Sequence, residues 1–214
     1  MKKVIFIHIQ KCGGRSIEQV VQKYCSWVNC NRTINHFYFR DFSDLEISTS
    51  DYNFTIVRNP WDRAVSWYFY HCVSTSPAFD SRGLYTKYES FRDWVVDGMK
   101  VLPKFDLWDY RSNKWCMHDY LTRVDADGRI GGYTIEHVYK LEELSDTSSG
   151  MWEKLKLDLG VPKHEKFPHA NVTNCLNPLK YRRHKDYRKH YDAESIEMVR
   201  NICALDIEFF GYEF

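Results

Sequence analysis

Val4-Ile5-Phe6-Ile7-His8-Ile9-Gln10-Lys11-Cys12-Gly13-Gly14-Arg15-Ser16-Ile17-Glu18-Gln19-Val20-Val21 decides the fold. The run Val4–Ile9 is short, continuous and rich in β-branched residues, the pattern of a buried strand. Gly13 and Gly14 break it, and Ile17 to Tyr24 has helical spacing. A strand thus enters a lysine-bearing glycine loop that opens a helix. Such a loop suits an anion: glycines let backbone N–H groups approach phosphate oxygens, the helix N-terminus adds partial positive charge, and Lys11 adds a full one. The Gly-x-x-x-x-Gly-Lys-Ser/Thr spacing is absent, since here the lysine precedes the glycines. On this segment alone, a tight strand–helix turn with a solvated lysine is the alternative reading.

Working outward, Asp51–Val57 reads as a second strand. It runs into Arg58-Asn59-Pro60-Trp61-Asp62-Arg63-Ala64-Val65-Ser66-Trp67-Tyr68. Pro60 suits a first helical turn, and Asn59 before it suits an N-cap. Arg58 then stands at the carboxyl end of a strand, where ligands bind in open α/β sheets. Ser66 follows about two turns into the helix. A guanidinium there can grip phosphate with two parallel bonds, and a hydroxyl can add a third.

The pair of motifs resembles the nucleotide motifs of sulfotransferases that use PAPS (3′-phosphoadenosine 5′-phosphosulfate), above all the Golgi carbohydrate sulfotransferases of chondroitin, dermatan and heparan 2-O type and their bacterial relatives. The ending Asp206-Ile207-Glu208-Phe209-Phe210-Gly211-Tyr212, after an amphipathic run from Glu194 to Ile202, resembles that family's closing segment. The likeness extends from residue 4 to residue 212 and fades between residues 72 and 130. It implies an α/β, P-loop-like three-layer fold with a central, mainly parallel sheet flanked by helices. It also implies that Lys11, Cys12, Gly13, Gly14, Arg15 and Ser16 hold the 5′-phosphosulfate. Cys12 is a departure, because a small hydroxyl residue is common there and a thiol donates more weakly. Arg58 and Ser66 match the residues that hold the 3′-phosphate. In His169-Ala170-Asn171-Val172-Thr173, Asn171 and Thr173 match a loop near the cofactor, with an Asx turn as the alternative. Arg182 lies in the basic cluster Lys180 to Lys185, which the resemblance makes a flap over PAPS or a surface for an anionic acceptor; a solvated charge run is the other reading. Glu142-Glu143 matches a further family feature.

Composition fits this reading. A chain of 214 residues is compatible with one domain, and a net charge of +1 supplies no global basic field for nucleic acid. No stretch approaches the roughly 18–20 apolar residues of a membrane span, and the run after Lys2-Lys3 is too short for a signal peptide. Golgi relatives carry an N-terminal anchor, so a soluble, cytoplasmic enzyme of bacterial or phage type is expected. Seven scattered cysteines with no CxxC pair argue against a zinc site and a complete disulfide framework. Buried small hydrophobes are expected instead. Sequons at Asn31, Asn53 and Asn171 are read as chance.

Alternating strands and helices imply a parallel sheet. After the two motifs come a Ser/Pro-rich loop over Val73–Gly83, a helix over Tyr88–Met99, and an irregular aromatic stretch over Leu102–Lys114. A helix near Lys114–Leu121, a turn at Asp125–Gly128, a strand over Thr134–Tyr139 and a helix Met151–Leu159 stopping at Gly160 follow.

Sulfuryl transfer is close kin to phosphoryl transfer, so catalysis is mainly positioning and charge stabilisation. Lys11 is placed to neutralise the charge that grows as PAP leaves, without metal. The acceptor, a carbohydrate or other hydroxyl, needs a base. His36, in Ile34-Asn35-His36-Phe37-Tyr38, lies where members of the resembled family often carry histidine, and an imidazole titrates near neutral pH. Its alternative is packing on neighbouring aromatics. His8 is expected in or behind the core; His71, His118, Glu18 and Asp41 are other candidates. Trp108, Tyr110 and Trp115 are core residues or sugar platforms. Two further readings are a non-catalytic nucleotide- or phosphate-binding module and a kinase, the latter opposed by the missing Walker spacing.

Overall fold

The computed structural model describes residues 1–27, 44–73, 88, 90–100, 116–121, 123–124, 130–131, 135–168 and 186–214. The expected irregular stretches over residues 74–83 and 102–114, and the turn at 125–128, lie outside them. The strands are β1 (Lys3–Ile7), β2 (Ser26–Trp27), β3 (Tyr52–Val57), β4 (Arg123–Val124), β5 (Ile130–Gly131) and β6 (His137–Lys140). The helices are α1 (Gly14–Tyr24), α2 (Asp44–Ser48), α3 (Pro60–Val73), α4 (Phe91–Val96), α5 (Leu141–Ser145), α6 (Met151–Leu159), α7 (Ala193–Ile202) and α8 (Ala204–Phe210), with 3-10 turns at His118–Tyr120 and Tyr187–His190. The architecture is α/β, a parallel sheet flanked by helices, consistent with the expected P-loop-like type. Two compact units are distinguished: Met1–Arg58 with Met117–Asn171, and Asn59–Cys116 with Val172–Phe214.

The first unit carries the parallel sheet, in the order β2-β1-β3-β6. Phe6 stands opposite Phe54, and Phe54 opposite His137. Val4 to Ile7 and all of β3 are buried, so both strand faces are covered. That is why these strands read as continuous apolar runs rather than alternating ones. β1 starts one residue earlier than expected, because Lys3 N donates to Asp51 Oδ2 at 2.6 Å and Asp51 N to Lys3 O at 2.7 Å. It ends at Ile7, whose carbonyl accepts from Thr55 Oγ1 at 2.8 Å. β6 begins later than expected, at His137. Just before it, the Glu136 N–H is taken by Asn53 Oδ1 at 2.6 Å, a side chain rather than a strand partner. β4 and β5 form a separate short antiparallel pair.

One face of the sheet packs on α1 and α6. Ile17, Val20 and Val21 at i, i+3 and i+4 meet Val4, Phe6, Phe54 and Ile56, together with Leu155 and Leu159. Each such side chain contributes about 1.5–3 kcal/mol by leaving water. α6 matches its expected bounds and stops at Gly160. A polar knot fastens it: Tyr52 and Tyr139 hydroxyls lie 2.7 Å apart, and each donates to Asp158 Oδ2 at 3.0 Å. Burial, then the neighbouring Tyr139, drives the Tyr52 phenol far above its ordinary range. Burial opposes ionisation of Asp158, but the two phenols and Lys154 outweigh it and hold the carboxyl below its usual range.

The second unit gathers α3, α4, α7 and α8. Tyr68 of α3 meets Phe91 edge-on at 5.5 Å and Trp94 at 5.7 Å. α4 is shorter than the expected span over residues 88–99 because both ends are closed locally. Ser90 Oγ accepts from Asp93 N at 3.1 Å at the start, and Met99 N donates to Trp94 O at 3.0 Å at the end. The helix expected near Lys114–Leu121 is described only as the single turn His118–Tyr120. Asp192 and Ser195 form a reciprocal capping box at the start of α7.

Asn59 caps α3 as expected: its Oδ1 accepts from Trp61 N at 3.1 Å and Asp62 N at 3.4 Å. Its Nδ2 also donates to Glu213 O at 2.8 Å, and Trp61 Nε1 donates to Ile196 O at 3.1 Å. From Asn59 onward the second motif is therefore bonded to the last segment of the second unit. Asn59→Ala removes a cap and strands the Glu213 carbonyl. A loss of about 2–3 kcal/mol is expected. Thermal unfolding should show a midpoint about 5–10 °C lower; an unchanged midpoint would contradict the capping role.

Candidate active site

In a parallel sheet all carboxyl ends lie along one edge. There β1 leads to Lys11, β3 to Arg58, and β6 to Leu141. Lys11 has φ +64° and Gly13 has φ +80°. A left-handed conformation is natural for glycine and costs a lysine about 1 kcal/mol. Strain of this kind collects at binding loops and is a pointer to function. Gly13 is the N-cap of α1, with no side chain capping the helix, and its carbonyl accepts from Ser16 N at 3.0 Å.

Gly13 is favoured by its positive φ, and Gly14 is required by space. A Cβ on Gly13 would stand 2.7 Å from Leu141 Cδ1. One on Gly14 would stand 1.9 Å from His8 Cδ2 and 2.1 Å from His8 Nε2. All three distances are shorter than real Cβ contacts; the Leu141 methyl ends a flexible side chain that can yield, whereas the His8 ring is held at Nδ1. The His8 ring is buried, stacks near Phe6, and has Nδ1 2.6 Å from Glu18 Oε1. Arg15, largely exposed, reaches Glu18 Oε2 at 3.7 Å.

Arg58 reaches back to the same loop: its Nη1 donates to Lys11 O at 3.0 Å. Cys12 is buried, with Sγ 3.6 Å from both Gln10 O and Met117 Sδ. The thiol at this departure from the resembled pattern is thus engaged with the loop's own carbonyl and a thioether. Cys25, Cys116 and Cys203 are likewise buried and free of disulfides, as expected. Burial first, with the Asp206 carboxylate adding to it, pushes the Cys203 thiol up to about 12, so it stays neutral.

The structure therefore brings together Lys11, Cys12, Gly13, Gly14, Arg15, Ser16 and Arg58 within the first unit. Ser66 is placed in the second unit, buried on α3. His36, Asn171, Thr173 and Arg182 lie outside the described residues, as do Asp41, Trp108, Tyr110 and Trp115 and the side chain of His71. Glu142 and Glu143 open α5. Sequence reading missed that His8 and Glu18 touch, and that Leu141 and Met117 wall the loop. The only available signal was that a strand's last turnward residue and a helix's second turn flank the same glycines.

A family model described as the sulfotransferase family matches residues 1–213. The chain belongs to the sulfotransferase family. No curated protein matches it. As a sulfotransferase it moves a sulfuryl group to a hydroxyl-bearing acceptor. Among the described residues no helix is long and apolar enough to cross a membrane.

For this sulfotransferase the loop between β1 and α1 fits a phosphate-like group. Gly14 leaves no room for a Cβ beside the His8 ring, Gly13 and Lys11 are held at positive φ, and a guanidinium stands on the Lys11 carbonyl. Backbone donors, one ammonium and one guanidinium at a strand edge can hold and neutralise an anion.

Proposed function

We propose that this sulfotransferase takes its sulfuryl group from PAPS and delivers it to a hydroxyl of a carbohydrate, through a single catalytic domain and without a metal ion. The observation that carries the reading is the strained, glycine-lined loop pinned by Arg58. The likeness of both motifs to the Golgi-type carbohydrate enzymes supports the donor and the acceptor class.

Lys11, Cys12, Gly13, Gly14, Arg15 and Ser16 would hold the 5′ end of the donor, and Arg58 and Ser66 its 3′-phosphate. Asn171, Thr173 and Arg182 would complete the cofactor site. The donor supplies an activated sulfuryl group whose bond to the phosphate breaks as a bond to the acceptor oxygen forms. Lys11 holds its charge where the leaving phosphate gains one. His36 accepts the proton of the acceptor hydroxyl.

Thermal unfolding with PAP, ADP and 5′-AMP in the presence of a chelator, and with ATP and GTP both in chelator and with magnesium, tests this reading. Ligand at about a hundred times its dissociation constant adds roughly 2.7 kcal/mol. For a chain of this size the expected midpoint rise with PAP is about 5–10 °C. A flat response to PAP with a rise for ATP or GTP plus magnesium would overturn it in favour of a kinase.

A further inference from the structure

His8 lies just beyond β1, and its ring is buried. Its geometry bears directly on the loop. The ring edge carrying Cδ2 and Nε2 occupies the space that a Gly14 side chain would need. The opposite edge, at Nδ1, is bonded to Glu18 Oε1 at 2.6 Å. Glu18 stands one helical turn beyond Gly14 on α1, and is itself buried. The imidazole is thus wedged between the first turn of α1 and a carboxylate of the second. On the PAPS reading, the first turn is the one whose backbone N–H groups would face the donor's 5′ end.

We propose that His8 and Glu18 are positioning residues for the donor loop: the ring is the floor on which Gly14 rests, and the Glu18 carboxylate fixes the ring. The inference rests on the PAPS reading above and adds the residues that set the loop's shape. The physical argument is one of tolerance. Glycine at position 14 lets the backbone settle onto any flat surface, so without a floor its N–H groups lose their aim. A ring held at one nitrogen by a buried acceptor cannot rotate away. A displacement of the order of an ångström in a positioning element can cost about 10- to 100-fold. Arg15, 3.7 Å from Glu18 Oε2, is a charged group facing the pair, and it is exposed.

The test uses two nucleotides on the full chain: PAP, with both phosphates, and 3′-AMP, which lacks the 5′-phosphate. Binding is measured by calorimetry on variants that retain a cooperative melt. His8→Ala is expected to weaken PAP about 10- to 100-fold while changing 3′-AMP by less than about two-fold. Glu18→Ala should behave alike, and Glu18→Gln, which keeps an acceptor for Nδ1–H, should recover most of the PAP affinity. Gly14→Ala should also weaken PAP. Because its methyl and the ring compete for one space, His8→Ala/Gly14→Ala should be no weaker than His8→Ala alone.

A merely structural role would lower the melting midpoint and leave both affinities intact. His8→Ala binding PAP as tightly as the wild type would overturn the inference. So would losses that multiply in the double variant, since no shared space would then exist. A wild-type protein that binds 3′-AMP and PAP equally, or neither, overturns the PAPS reading itself, which is a different result.

Discussion

Lys11→Ala is expected to lower turnover by about 10²- to 10³-fold while PAP affinity changes by less than about 10-fold. The asymmetry follows from when the charge is needed. In the ground state the donor's negative charge is spread over several oxygens, which on the proposed reading backbone N–H groups and Arg58 would also serve. As the sulfuryl group departs, new charge collects on the bridging oxygen, and only a cation beside it gains strength at that moment. Stability should be nearly unchanged. Lysine and alanine bear a similar cost at φ +64°, so truncation neither relieves nor adds strain. Lys11→Gly separates the two properties: it removes the left-handed penalty as well as the ammonium, and should be as inactive as Lys11→Ala. Single-turnover rates with saturating PAPS, alongside PAP calorimetry, measure both quantities. If Lys11→Ala turned over within about three-fold of the wild type, another group would be neutralising the leaving phosphate.

The parts of this fold that sequence revealed are those where one physical demand dominated. β1 and β3 were visible because both faces are buried, which leaves an uninterrupted apolar run. Pro60 after Asn59 marked the start of α3 because a helix N-terminus needs an acceptor and can spare an N–H. α6 was bounded correctly because Gly160 stops it. Where several weak demands compete, the reading blurred. α4 ends early because Ser90 and Met99 close it through bonds that helical periodicity does not encode. β6 starts late because Asn53, far away in sequence, takes the Glu136 N–H.

The site divides in the same way. The glycine turn, and the place of Arg58 directly after β3, were legible because an apolar run, a pair of glycines and a helical spacing follow one another in a distinctive order. The His8–Glu18 contact was not, because a histidine followed by a glutamate ten residues on carries no pattern until a strand and a helix are folded back on each other. Nor was the bond from Arg58 to Lys11 O, which joins residues 47 apart. That bond changes what the second motif means. Arg58, proposed as a ligand for the 3′-phosphate, also braces through this bond the loop proposed for the donor's other end.

That double duty leads to the second large expected effect. Arg58→Ala should weaken PAP by about 10- to 100-fold, the scale of one or two charge-assisted hydrogen bonds. Arg58→Lys should recover only part of the loss, because an ammonium keeps the charge but cannot reach a carbonyl and a phosphate with one planar fork. Comparing PAP with 5′-AMP separates the two roles. Loss of a grip on the 3′-phosphate weakens PAP and leaves 5′-AMP, which lacks that group, untouched. Loss of the strut weakens both, because the loop serves the 5′ end they share. The geometry predicts a large loss for PAP and a smaller one for 5′-AMP. It also predicts that Lys11→Ala and Arg58→Ala will not combine additively, since the guanidinium stands on the lysine's own carbonyl. Equal losses for the two nucleotides would leave Arg58 with the strut alone and move the 3′-phosphate to other residues. An unaltered 5′-AMP affinity would instead make the Lys11 carbonyl bond dispensable and the phosphate grip the whole of its role.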